Sequence, residues 1–189
     1  MGEQPQEKRT SAIQSHFNKK SLNVLFVPGK DASMSLGVKR AYTLLVLYVM
    51  KTIERLGTEP SLGILEEAAA EQGKIIAKEM KRTLPLGLRP LELGAEIYYR
   101  FMSDAGAEVS IHKRDDMSVT FLIRRCPFHE SFLDVGVDCG IFLKGLCGNL
   151  TLPSIQATLS EFHPGLRVEP VVTRESAEEI CLEKVYLVA

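Results

Sequence analysis

The stretch VSIHKRDDMSVTFLIRRC, residues 109–126, decides the fold class of this chain. Apolar residues alternate with polar ones in two runs, and Asp115-Asp116 lies between the runs. Alternation with a period of two is typical of strands, whose successive side chains point to opposite faces of a sheet. The stretch therefore predicts a β-hairpin whose second strand ends just before Cys126.

A second hairpin is predicted near the end of the sequence. The segments 166–173 and 180–188 read as strands, and the polar residues 174–179 read as the turn that joins them. Because a hairpin joins neighbouring antiparallel strands, the two hairpins together predict an antiparallel sheet of about four strands.

Helices are predicted before and between the hairpins. Apolar residues recur every three or four positions in 38–56, in 61–84 and from Pro90 onward, which is the spacing of a helical stripe. Further helical patterns cover 138–150 and begin again at Pro153. The expected fold class is therefore α+β, with the antiparallel sheet packed against an N-terminal helical layer.

Two features of these helices indicate close packing. Residues 41–50 are apolar on every side, so this helix is either central to the domain or part of a dimer interface. Gly73 interrupts the second helix at a cost of about 1 kcal/mol relative to Ala. The glycine is either simply tolerated or marks the close approach of a neighbouring helix or ligand.

Length and composition indicate one domain of ordinary size. The chain has 189 residues, 45% of them hydrophobic and 25% charged, with a formal net charge of −1. Residues 1–20 predict a flexible polar tail, and 21–189 a single α+β domain. Neither nucleic-acid binding nor an integral membrane segment is expected, since the charge is near zero and no apolar run is long enough. Without a secretory signal, the expected location is cytoplasmic.

The four cysteines are the sharpest chemical feature of the sequence. Cys126, Cys139, Cys147 and Cys181 all lie in its last third. A tetrahedral zinc site or an iron–sulfur cluster can use four thiolates, but no Cys-x-x-Cys pair is present. If 138–150 is one helix, Cys139 and Cys147 are about 12 Å apart along its axis, too far to share a metal ion.

A subset of these residues is therefore a better candidate site. Cys126 and His129 follow a strand in a turn tightened by Pro127, and an antiparallel sheet can bring them near the last strand. The cofactor considered first is zinc, ahead of an iron–sulfur cluster. The alternative is that buried cysteines act as small apolar residues. The candidate metal ligands are Cys126, His129, Cys139, Cys147 and Cys181, and at most one of Cys139 and Cys147 is expected to join Cys126 and Cys181.

Cys126 is also a candidate nucleophile. Arg124 and Arg125 precede it and could hold it as a thiolate, with His129 or Glu130 assisting. The alternative interpretation is that both arginines lie at the solvated rim of a strand.

Several of these segments carry a resemblance to a known family. The chain resembles the 4-vinyl reductase small-molecule-binding domain, also described as a hydrocarbon-binding domain, which is similar to the transport-protein-particle subunit fold. The resemblance covers about residues 36–188. It lies in the helix 66–80 with its central Gly73, the strand end Arg125-Cys126-Pro127, the helix bearing Cys139 and Gly145, and the last strand opening at Cys181.

The resemblance implies a homodimer with an apolar cavity between helices and sheet for a small apolar or hydrocarbon-like ligand. Arg125-Cys126-Pro127, together with Phe162-His163-Pro164, also resembles the L-2-amino-thiazoline-4-carboxylic acid hydrolase-like group. That second resemblance implies an enzyme with a cysteine-based site.

Overall fold

A computed structural model describes residues 36–85, 87–136, 140–176 and 179–188 of the chain. The predicted tail 1–20 and Cys139 lie outside these ranges, as does the start of the predicted domain at 21.

The described residues form six helices and four strands. Their order follows the predicted order, except that an additional helix covers residues 127–135, where a turn was expected at Pro127. The elements are α1 Leu36–Leu56, α2 Thr58–Met80, α3 Pro90–Asp104, β1 Glu108–Arg114, β2 Ser118–Arg125, α4 Pro127–Val135, α5 Gly140–Asn149, α6 Thr151–Ser160, β3 Leu166–Val172 and β4 Cys181–Leu187.

The four strands form one antiparallel sheet in the order β1-β2-β4-β3. Each predicted hairpin supplies one half of the sheet, and the last strand of each hairpin pairs with the other at the centre. In this central pair Phe121 lies opposite Glu183, and Ile123 lies opposite Cys181. The predicted α+β class with a four-stranded antiparallel sheet is confirmed.

Helix α3 packs on one face of the sheet and forms the main core with it. Gly94 allows this contact, because a Cβ atom there would lie 2.7 Å from a methyl carbon of Leu166 on β3. Further along α3, the ring of Tyr98 stacks on Phe121 of β2 with their centroids 4.3 Å apart. The face of the sheet that meets α3 is thus covered by a helix, as in other two-layer α+β folds.

A second core lies beneath α1 and α4. Val46 and Val49 of α1 pack there with Phe128 and Phe132 of α4. Cys126 packs against both this core and the core at the sheet, so it lies where the two meet. The residue that follows the first hairpin thus joins the two cores.

Gly73 marks the close approach of a helix, which was one of its two predicted roles. A Cβ atom at Gly73 would lie 2.2 Å from the carbonyl oxygen of Ser154 and 2.8 Å from the Cβ of Ala157, both on α6. The hydroxyl of Thr158, also on α6, donates a 3.0 Å hydrogen bond to the Gly73 carbonyl. Simple tolerance of the glycine is therefore the wrong interpretation, because α2 and α6 touch backbone to backbone here.

None of the helices in the described part of the chain combines the length and the apolar character that crossing a membrane requires.

Candidate functional site

The site begins where the first hairpin ends. β2 stops at Arg125, and Cys126, in an extended conformation, is the N-cap residue of α4. Pro127 occupies the first turn of α4, a position that suits proline because its fixed φ is helical and its missing N–H is not needed there. The prediction that Pro127 tightens a turn was thus wrong, because Pro127 begins a helix.

Beside Cys126 lies a cavity of about 310 Å³. Its walls come from α1, α2, the end of α3, the start of α4 and the start of α6. Eleven of the seventeen lining residues are apolar or aromatic, a composition typical of small-molecule sites. The lining residues are Tyr42, Leu45, Gln72, Ile76, Glu79, Met80, Phe101, Met102, Asp104, Ala105, Ala107, Cys126, Pro127, Phe128, Leu150, Thr151 and Ser154.

The cavity wall also carries a few polar groups. The Ser154 hydroxyl donates a 3.2 Å hydrogen bond to Oε1 of Gln72, which joins α6 to α2 at the wall. Thr151 lies one turn before Ser154, and the exposed carboxylates of Glu79 and Asp104 also line the space. A ligand in this cavity would therefore meet an apolar surface with hydrogen-bonding groups at a few points.

A buried polar cluster lies on the sheet side of Cys126, with Arg174 as its cation. The side chain of Arg174 is only 2% exposed. It donates hydrogen bonds of 2.7 Å and 3.0 Å to the carbonyls of Ile123 and Arg124, and its Nε lies 3.3 Å from Sγ of Cys181. The guanidinium thus ties the segment before β4 to the end of β2.

Glu183 is the buried acid of this polar cluster. The hydroxyl of Tyr98 donates a 2.6 Å hydrogen bond to Oε2 of Glu183. Burial raises the pKa of Glu183 above its usual value, although the Tyr98 hydrogen bond and the charge of Arg174 act in the opposite direction. A carboxyl group facing α3 therefore stands in the middle of an otherwise apolar sheet face.

The sequence-predicted cysteines that the structure describes approach this polar cluster. Cys126, Cys147 and Cys181 are free thiols that form no disulfide bond. Arg174 is close enough to act electrostatically on Cys126 and Cys147. Burial raises the pKa of Cys126 to about 11, although the backbone N–H of His129 and the charge of Arg174 lower it. Burial also raises the pKa of Cys147 well above its usual value.

The two arginines before Cys126 are exposed, as the alternative interpretation expected. Arg125 forms an ion pair of 2.5 Å with Glu130 and is directed toward that carboxylate. A thiol with a pKa of about 11 is protonated at neutral pH, and the role of Cys126 as a nucleophile remains a prediction.

His129 lies one turn after Cys126 and is 3% exposed. Its Nε2 atom is buried without a hydrogen-bond partner, and burial together with the charge of Arg174 lowers its pKa. Within the described ranges, no group of three or more His, Cys, Asp or Glu side chains is arranged to hold a metal ion. Because Cys139 lies outside those ranges, the zinc site remains a prediction.

Sequence reasoning misses three members of the polar cluster. The local pattern places Arg174 in the predicted turn 174–179 and singles out neither Tyr98 nor Glu183 for a polar contact. One signal is present: Glu183 lies between Cys181 and Val185 at alternate positions of a strand, so all three share a face. An acidic residue on the apolar face of a strand indicates a buried polar contact.

Comparison with protein-family models and with curated proteins gives no match. Among solved structures, the chain is similar to the phenol-responsive sensory domain of the transcription activator PoxR with phenol. The TM-score is 0.54 at 13% identity, over 77% of this chain and 74% of that one. It is also similar to a trafficking protein particle complex subunit 3 from Naegleria fowleri covalently bound to palmitic acid. There the TM-score is 0.50 at 16% identity, over 80% and 97% of the two chains. At these identities the likeness is one of fold.

Proposed function

We propose that this chain is a small-molecule-binding domain whose ligand is apolar or hydrocarbon-like. The observation that carries the proposal is the cavity of about 310 Å³ beside Cys126, which has a mainly apolar wall and a few hydrogen-bonding groups. Cavities of this size and composition are the usual sites of small-molecule binding. Within the proposal, the cavity binds the ligand and the polar cluster behind Cys126 holds the sheet and α4 in place.

The fold comparisons support the proposal. One similar structure is a phenol-responsive sensory domain, and the other is covalently bound to palmitic acid. We infer that the chain is a distant relative of the 4-vinyl reductase small-molecule-binding domains, as its sequence resemblance suggests.

A neutral fluorescent probe tests the proposal. N-phenyl-1-naphthylamine, whose emission rises in apolar surroundings, should bind the purified protein at about one equivalent. Ala107 lines the cavity, so Ala107→Phe should fill part of it and weaken probe binding by roughly tenfold or more. The matched control is Ala68→Phe, because Ala68 is exposed on α2 and does not line the cavity. Equal probe binding by both variants would count against the cavity as the site.

We also propose that the domain forms a homodimer through α1. One face of α1 packs on the second core, while its opposite face leaves Leu44 and Tyr48 each 68% exposed, with Leu47 beside them. A contiguous apolar helix face in water is typical of an interaction surface. This exposed face accounts for the apolar residues found on every side of 41–50.

Sedimentation velocity tests the dimer. Leu44→Glu combined with Tyr48→Glu should shift the protein from dimer to monomer, because two charges would be buried in the interface. Met117→Glu is the matched control, since Met117 is an exposed apolar residue, 48% exposed, that lies between β1 and β2 and not on α1. A wild-type protein that sediments as a monomer at high concentration would overturn the dimer proposal.

A further inference from the structure

The charges at the cavity wall are all of one sign. Two carboxylates line the cavity, Glu79 on α2 and Asp104 at the end of α3. No Lys, Arg or His is among the described residues that line it. The wall is therefore apolar and net negative.

Two nearby basic groups are engaged with partners outside the cavity wall. Lys81, two residues after Glu79, forms a 3.0 Å ion pair with Glu161. The buried cation Arg174 is not part of the cavity wall and is engaged with backbone carbonyls and Cys181. A ligand in the cavity would meet the two exposed carboxylates at its wall, while Lys81 and Arg174 are engaged elsewhere.

The polar groups of the cavity wall differ in chemical type between two positions along α2. Gln72 and Glu79 are seven residues apart on the same helix, which is about 10 Å along the helix axis. Gln72 and Ser154, which are hydrogen-bonded to each other, thus offer an amide and a hydroxyl at one position, while Glu79 offers a carboxylate about two helical turns away. Every side chain of this set can accept hydrogen bonds, the amide and hydroxyl groups can also donate them, and the carboxylates only accept them.

We propose that the cavity selects ligands whose polar head is a hydroxyl or an amine and rejects carboxylates of the same carbon skeleton. A hydroxyl or ammonium group donates hydrogen bonds to Glu79 and Asp104, whereas a ligand carboxylate has no proton to donate and is repelled by both. The inference rests on the proposed function, because it names the class of ligand for the same cavity.

A series of ligands that differ only in head group tests this selectivity. Octylamine, octanol and octanoate share one chain length and carry charges of +1, 0 and −1 near neutral pH. Each is titrated against protein loaded with N-phenyl-1-naphthylamine at low ionic strength. We expect octylamine to bind at least as tightly as octanol, and octanoate to bind on the order of tenfold more weakly than either. Added salt should narrow the difference between octylamine and octanoate.

Two variants connect the selectivity to the named carboxylates. Glu79→Gln combined with Asp104→Asn should bring the octylamine and octanoate affinities to within about threefold of each other. Glu67→Gln is the matched control, because it removes one exposed acid of α2 that does not line the cavity. This variant should keep the wild-type ratio of octylamine affinity to octanoate affinity.

The possible outcomes separate the two proposals. If neither the probe nor any of the three ligands binds, the proposed function fails and the selectivity fails with it. If ligands bind but octanoate equals or exceeds octanol, the proposed function stands and the selectivity is refuted. The selectivity is also refuted, with the proposed function still standing, if the Glu79→Gln and Asp104→Asn double variant keeps the full wild-type ratio of octylamine affinity to octanoate affinity.

Discussion

Replacing Gly73 by alanine tests the packing of α2 on α6 directly. The added Cβ atom would lie 2.2 Å from the Ser154 carbonyl oxygen and 2.8 Å from the Cβ of Ala157. The first neighbour is a backbone atom, so no side-chain rotation can relieve the contact. The helices must separate by about 1 Å, the shortfall from an ordinary van der Waals contact, or the chain must distort locally.

Two opposing effects set the magnitude of the change. Overpacking a well-packed interface costs about 1–3 kcal/mol, and a backbone clash favours the upper part of that range. Alanine is better than glycine in a helix by about 1 kcal/mol, which offsets part of the cost. We therefore expect Gly73→Ala to lower the free energy of unfolding by about 2 kcal/mol. Thr158 also bonds to the Gly73 carbonyl, so this bond should weaken as the helices move apart.

The assay is urea denaturation followed by circular dichroism, and α2 supplies its own control. Gly63 lies on the same helix and is exposed, and a Cβ atom added there would meet nothing within 4 Å. Gly63→Ala should therefore show the helix-propensity gain alone, a stabilisation of about 0.5–1 kcal/mol. The two variants are expected to change stability in opposite directions.

The reasoning is refuted if Gly73→Ala stabilises the protein as much as Gly63→Ala does. That result would mean that α6 does not touch α2 at Gly73. A lower unfolding midpoint with an unchanged denaturant slope would support a simple loss of native stability. Since Ser154 also lines the cavity, Gly73→Ala should weaken binding of the fluorescent probe as well.

Three other measurements examine the buried polar groups. Because burial raises the pKa of Glu183 above its usual 4.5, its stabilising contribution is present below that value and is lost as the pH rises through the raised pKa. Glu183→Gln should therefore flatten the loss of stability that the wild-type protein shows in urea denaturation as the pH rises above 4.5, and parallel curves for both proteins would contradict this. Cys126 in the folded protein should resist iodoacetamide at neutral pH and react only as the pH approaches its pKa of about 11, or on unfolding, as followed by peptide mass mapping. Rapid alkylation of Cys126 at pH 7 would instead support the nucleophile hypothesis. For the predicted zinc site, elemental analysis of protein purified without chelator should give about one zinc per chain; substoichiometric metal would leave the cysteines as core residues.

Local sequence patterns predict the elements well, and the reason is visible in individual segments. The alternation in 109–125 sets which side chains face one side of a strand, and this depends only on neighbouring residues. The helical stripes in 38–56 and from Pro90 follow from the same kind of local spacing. The helix 127–135 escapes prediction because Pro127 is compatible with both a turn and the first turn of a helix.

The candidate site is only partly accessible to such reasoning. Residue type singles out Cys126 and Cys181, and the structure places both near Arg174. Arg174 itself has the sequence signature of a solvated turn residue. Its burial follows from the carbonyls of Ile123 and Arg124, which lie about fifty positions earlier in the chain.

The sequence by itself determined that this protein has an α+β fold, with two hairpins and helices around them, because periodicity and turn residues act over a few positions. Only the tertiary structure decided the strand order, the contact at Gly73, and the cavity with its two carboxylates. These features depend on which distant segments meet, and chain spacing alone does not specify that. Both kinds of information are needed for Cys126. The sequence locates it at the end of a predicted strand, and the packing of two cores around it sets its pKa and its position at the cavity wall.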